Sequence, residues 1–187
     1  SHAEGFTTKA TGESAHSEGN STTASGSRSH AEGSQTIASN DYAHAEGYLT
    51  IASGIASHAE GQTTTASGGA SHAEGLSTTS IGAYSHTEGQ LSTAIGTNSH
   101  AGGLSSIASG TTSFVFGTSS IALEANTIVL GSFITGGTAN TTYVQTLALT
   151  TIRDYANDGA ADADTTLASG GLYTTSGSTG RAVYRKP

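Results

Sequence analysis

Residues 22–33 read TTASGSRSHAEG. Two pentads, 22–26 and 29–33, start seven residues apart, and each holds small residues at its first, third and fifth positions. Alternation of period two over five residues marks a short strand, and the closing glycine marks a turn that wants a positive φ or a close backbone approach. The unit is therefore a half-repeat, [ST]-x-A-x-G-x-x, of one strand and one turn. It recurs in both directions along the chain. The histidine pentad returns as SHAEG, AHSEG, AHAEG, SHTEG and SHAGG, placing His2, His16, His30, His44, His58, His72, His86 and His100 on one 14-residue period that takes in every histidine of the protein. The period continues without histidine as SFVFG (113–117) and TIVLG (127–131). Ten coils are thus in phase over 1–140, with no insertion.

In a strand the first, third and fifth residues share one face and the second and fourth share the other. If the small faces meet, the two layers close around a thin alanine interior. The expected fold is all-β, a flattened parallel β-roll (β-solenoid) with one coil per 14 residues, stacked every ~4.8 Å into a rod about 50 Å long. Asn40, which stands for glycine at one turn, is expected to be left-handed because asparagine tolerates that conformation next best. The outer faces carry two different sets of columns. One holds the histidines with Glu4, Glu18, Glu32, Glu46, Glu60, Glu74 and Glu88; the other holds pairs such as Thr23 and Ser25, Ile37 and Ser39, or Ile107 and Ser109.

Composition agrees that the interior is thin. Of 187 residues, 26 are glycine and one is proline, and the apolar share is 34%, against an ordinary ~45–50%. The absence of cysteine excludes a disulfide framework, a zinc-thiolate site and a cysteine nucleophile. A net charge of −8 with only six Lys and Arg argues against nucleic acid as a partner, since phosphate contacts need a basic footprint. Four of those six, Arg153, Arg181, Arg185 and Lys186, lie near the end of the chain. No stretch approaches the ~20 apolar residues of a membrane span. The start at Ser1 without methionine is read as that of a fragment or processed product.

An alanine-filled roll buries too little apolar surface to offset the entropy of ordering its chain. The economical solution is a homo-oligomer that buries one outer face of each roll at a symmetry axis. The His and Glu columns give way to Phe114 and Phe116, then Ile128 and Leu130, which marks that face as the axis-facing one. The His/Glu ladder is then partly buried, each imidazole bonded to a carboxylate or backbone neighbour.

The pattern A-x-G-x-x-S-x-A-x-G over 24–33 resembles the head repeat of trimeric autotransporter adhesins, and the likeness covers about residues 1–140. It implies a left-handed parallel β-roll assembled as a tight homotrimer, with Phe114, Phe116, Ile128 and Leu130 as trimer core. This chain departs from that family in placing His and Glu where aliphatic residues usually sit. The SHAEG form also resembles segments of bacteriophage tail fibres and appendages. Residues 142–150 (TYVQTLALT), 154–163 and 170–187 are similar to a short module that ends many phage fibre and bacterial surface proteins. That likeness implies that 141–187 cap the trimer, as a small α+β or β-hairpin module. It also implies an extracellular location, on a virion or a bacterial cell surface, and a host surface glycan or receptor as partner.

Other readings compete at particular residues. A histidine column beside a threefold axis invites a metal ion, with His30, His44, His58 and His72 as candidate ligands, but equivalent layers ~4.8 Å apart would set filled sites in strong mutual repulsion. A structural ladder without cofactor is the preferred reading. Catalysis is not expected, because repetition is the opposite of a unique constellation, and no nucleophile, phosphate loop or cofactor fingerprint occurs. The column Thr8, Thr22, Thr36, Thr50, Thr64 and Thr78, with threonine or isoleucine at the next position, suggests an ice-binding array as an alternative, against the simpler fact that threonine forms strands well. Varied turn residues, Phe6, Asn20, Tyr48, Gln62, Leu76, Gln90 and Leu104 in one column and Arg28, Tyr42 and Tyr84 in another, suit either binding or neutral drift. In the tail, 151–164 are expected to form a short helix ended near Gly170, and 171–175 with 181–185 a hairpin turned at 176–180. Tyr173 and Tyr184 are the choices for a glycan contact, tyrosine offering a flat apolar face with a polar handle. The expected molecule is a trimeric, fibrous adhesive protein that binds and does not catalyse. The alternative is a filament subunit without a specific receptor.

Overall fold

The computed structural model describes residues 1–145 and, farther along, the backbone of three strands, Arg153–Tyr155, Leu172–Thr175 and Val183–Arg185. The chain divides into two compact units, Ser1–Thr146 and Leu147–Pro187.

The first unit is a parallel β-solenoid. Histidine-pentad strands, His16–Asn20, His30–Ser34 and their equivalents, form an 11-stranded sheet, and the short alternate strands, such as Thr23–Ala24 and Ile37–Ala38, form a 10-stranded one. Each strand pairs in parallel with its equivalents one coil away: His16 opposite His30, His30 opposite His44, Thr23 opposite Ile37. The 14-residue period is therefore the pairing register, and no helix occurs among the described residues. The sheet runs one strand past the readable repeat. Thr142–Val144 pairs with Ile128–Leu130 although its residues no longer follow the pentad, because backbone pairing needs only the register.

The interior is a column of alanines. Ala24, Ala31, Ala38, Ala45, Ala52, Ala59, Ala66 and Ala73 are fully buried, as are Ala94, Ala101, Ala108 and Ala122. Val115 and Val129 are the largest residues to enter it. From Ala15 to Thr127 the first position of each pentad is also inside, as serine or threonine except for Ala15 and Ala43. The hydroxyls of Ser29, Ser57, Ser85 and Ser99 donate to the carbonyls of Gly26, Gly54, Gly82 and Gly96 at 2.6–2.8 Å, which satisfies them where water cannot reach.

Three expectations need correction. The column Thr22, Thr36, Thr50, Thr64 and Thr78 is fully buried, so these threonines, at the first, inward position of the pentad, are closed to ice; only the next position, with Thr23 half-buried and Ile37 exposed, faces outward. The fifth position of the histidine pentads does not stay inside. Gly5, Gly19, Gly33 and their equivalents have φ between 90° and 158°, which turns the chain outward and leaves Gly33 exposed. Asn40 is not left-handed. The left-handed residues are every seventh one from Thr7 to Asn140, all non-glycine, at φ 50–59°, two positions after the pentad's end. The glycines aligned with Asn40 serve close stacking instead: a Cβ on Gly12, Gly54 or Gly82 would strike the backbone carbonyl of the next coil. Asn40 uses its side chain locally, donating from Nδ2 to the Ser53 carbonyl at 3.1 Å and accepting from the Asp41 N–H at 2.9 Å.

In the second unit, Leu172–Thr175 pairs antiparallel with Val183–Arg185, as the hairpin reading requires. Its turn, 176–180, lies outside the described residues. The helix expected over 151–164 is contradicted at Arg153–Tyr155, a strand paired in parallel with Leu172–Thr175. A two-stranded hairpin is marginal alone, and this third strand completes a sheet. The remainder of that helix expectation lies outside the described residues.

Candidate functional site

In-register parallel pairing brings like residues of successive coils together, and on the outer face of the larger sheet it builds a ladder from the second and fourth pentad positions. From His16 to His86 the imidazoles stack face to face, with ring centroids 4.7–4.9 Å apart and planes within 11° of parallel. The spacing is that of the strands themselves. His100 breaks the stack: it meets His86 edge-on at 78° and lies over Phe114 at 4.7 Å.

The glutamates bind the ladder together. His58, His72, His86 and His100 each bond through Nε2 to the carboxylate one coil back, on Glu46, Glu60, Glu74 and Glu88, at 3.1–3.2 Å. With an ionised carboxylate as acceptor, Nε2–H is the donor. At the start of the chain the pairing differs: His2 meets Glu4 of its own coil at 3.3 Å. The imidazole Nε2 atoms of His30 and His44 are buried without a hydrogen-bond partner, and the nearest carboxylate to His44, on Glu32, is 3.8 Å away. Burial, and then the neighbouring imidazoles of His58 and His30, hold His44 below the ordinary histidine value against the pull of Glu46 and Glu32. Burial and His86 do the same to His100, against the hydrogen bond that it donates to Glu88 and the charge of that carboxylate.

Three clusters on the ladder hold donor atoms within 4.8 Å of one another: His44, Glu46 and His58; His58, Glu60 and His72; and Glu18, His30 and Glu32. The four histidines named as candidate ligands from the sequence all fall in them. The period alone could not reveal which carboxylate each imidazole meets, since that depends on side-chain torsions.

Beyond His100 the same face turns apolar. Phe116 is 49% exposed, and Ile128 and Leu130 are 39% and 38% exposed, so Phe114, Phe116, Ile128 and Leu130 continue the ladder columns outside the interior. Gly102 makes the change possible. It replaces the glutamate of the repeat, and a Cβ there would come within 2.7 Å of the Phe116 ring. The signal was the SHAGG pentad, one coil before SFVFG.

At the turns, the Arg28 guanidinium donates to the Tyr42 hydroxyl at 2.8 Å and lies 5.3 Å from its ring centroid, while Phe6 and Tyr84 stand well exposed. Tyr173 and Tyr184 are register partners in the tail hairpin; their side chains lie outside the described residues. Among the described residues there is no pocket, so a ligand here would meet a surface or a ladder.

Residues 59–85, 88–113 and 108–133 match the family model described as YadA head domain repeat (2 copies). No curated protein matches the chain. The 14-residue parallel β-solenoid is the structure that such repeats call for, and the chain thus carries YadA head domain repeats, matching the head-type repeats of trimeric autotransporter adhesins.

Proposed function

We propose that this protein is a homotrimeric, fibrous adhesin element displayed outside a bacterial cell or on a virion tail fibre, where it holds to a host surface glycan or receptor. Head repeats of this type occur in surface-exposed adhesins that form homotrimers. One observation supports the reading most: the interior is alanine, serine and threonine with only Val115 and Val129 larger among its fully buried side chains, while Phe116, Ile128 and Leu130 stand outside. Side chains of that size gain about 1.5–3 kcal/mol each when buried, and around a threefold axis three copies of the face would cover one another. The His/Glu ladder would lie along the same axis, and residues 141–187 would cap it. Tyr173 and Tyr184 are the proposed glycan contacts, with the varied turn residues as a second surface. The fold serves binding, and no catalytic role is proposed for it.

Glycan-array and host-cell binding by the full chain test the adhesive role. Binding that Tyr173→Ala and Tyr184→Ala abolish together supports it. A trimer that binds no array glycan and no candidate host would instead be a filament subunit.

A further inference from the structure

The ladder holds more than a stack of rings. Its first and middle thirds each contain a cluster of three potential metal ligands, and each cluster includes a buried imidazole nitrogen that nothing bonds: His30 Nε2 in one, His44 Nε2 in the other. A buried polar atom without a partner costs about 1–3 kcal/mol, and elsewhere on the ladder, from His58 to His100, the structure avoids this cost by pairing each Nε2 with a carboxylate.

We propose that the ladder binds divalent transition-metal ions of the zinc type at two places in each chain, one held by His44, Glu46 and His58 and the other by Glu18, His30 and Glu32. The His44 site offers two imidazoles and a carboxylate and the His30 site one imidazole and two carboxylates; zinc takes imidazole nitrogen and carboxylate oxygen alike, with a fourth position left for water. Imidazole and carboxylate donors together favour first-row ions such as zinc, nickel and cobalt over calcium or magnesium. The gaps between donor atoms, up to 4.8 Å, exceed the ~3.4 Å between ligands of one tetrahedral zinc, and the half-exposed glutamate side chains have the torsional freedom to close them. The cluster His58, Glu60 and His72 is not a third site. It shares His58 with the middle one, an Nε2 lone pair serves one ion, and both of its imidazoles already have a carboxylate partner, whereas the middle cluster includes the unpartnered His44 Nε2. Leaving that cluster empty also spaces the ions about two coils apart, which weakens the repulsion that filling every layer would bring. All ligands of a site come from one chain, so the proposal stands or falls separately from the trimer.

Zinc titration of the tag-free, chelator-treated full chain by calorimetry tests it. About two ions should bind per chain. His58→Gln, which breaks both overlapping clusters, should leave about one, and Glu32→Gln, which keeps the ring stack intact, should also leave about one. His100→Gln, on the same ladder but outside every cluster, should bind as the parent does. Cobalt should report the same counts through its visible absorption. Uptake below about half an ion per chain would overturn the proposal, and so would equal losses in His58→Gln and His100→Gln. Should His58→Gln fail to fold, Glu32→Gln decides.

Discussion

Residues in the left-handed region set the turns. Every seventh residue from Thr7 to Asn140 adopts φ near +55° with a side chain present, a conformation that costs an L-residue about 1–2 kcal/mol. The stack imposes it: from Ser21 onward the N–H of each such residue donates to a carbonyl fifteen residues back, as Arg28 does to Glu13 at 2.7 Å and Tyr42 to Ser27 at 2.9 Å. Glycine at one of these positions should relieve the strain. Ala70, at φ 50°, is exposed, and Ala70→Gly should stabilise the protein by about 1 kcal/mol, read as a rise in midpoint on chemical denaturation. Gly47→Ala should do the reverse. It combines φ +104° with a Cβ driven into the Gly61 carbonyl, and a loss of more than about 1 kcal/mol is expected. Sequence showed that glycine mattered at both pentad ends but not which of its two properties each end used. Asn40 illustrates the limit: its tolerance of a left-handed turn was the natural inference, whereas the position is governed by the carbonyl of the next coil, which no single-coil pattern displays.

At the scale of the strand and the sheet, alternation made the alanine interior readable, because a two-residue period fixes which side chains share a face. It misplaced the threonine column in function, since the same residue type suits an ice-facing array and a buried first position. The thinness of the interior is open to test. Ala45 is fully buried between the sheets, and Ala45→Leu should destabilise by about 1–3 kcal/mol through overpacking, while Val115→Ala should cost less than a leucine truncation. Acid should act on the ladder. His100 titrates below its unfolded value, so the unfolded chain binds its proton first; the stability this imidazole contributes is present above pH ~6.5. It is lost as pH falls through that value toward the folded one, and the loss then levels off. Melting temperature should therefore drop between pH 8 and pH 5, and His100→Phe, which extends the Phe114 stack, should shallow the drop. An unchanged melting temperature in the parent protein over that range would contradict the burial of the ladder.

The whole molecule was legible where repetition multiplied a weak local signal, and not where it stopped. Ten copies of a simple pentad fixed the fold class and the register of 1–140, whereas Arg153–Tyr155 had no repeat to identify it, and its acidic, alanine-containing surroundings read as helix until a partner strand was seen. The proposed assembly rests on a deficit: too little inside, and Phe114, Phe116, Ile128 and Leu130 outside. If those residues form the shared core, Phe116→Ser and Leu130→Ser together should weaken association while leaving the strand signal of the coils intact, as sedimentation and circular dichroism would show. The most direct measurement is the mass of the native chain by light scattering. Three times the 18.5 kDa of a single chain, held on dilution, is the result the shared core requires; a folded, stable species of 18.5 kDa would contradict it.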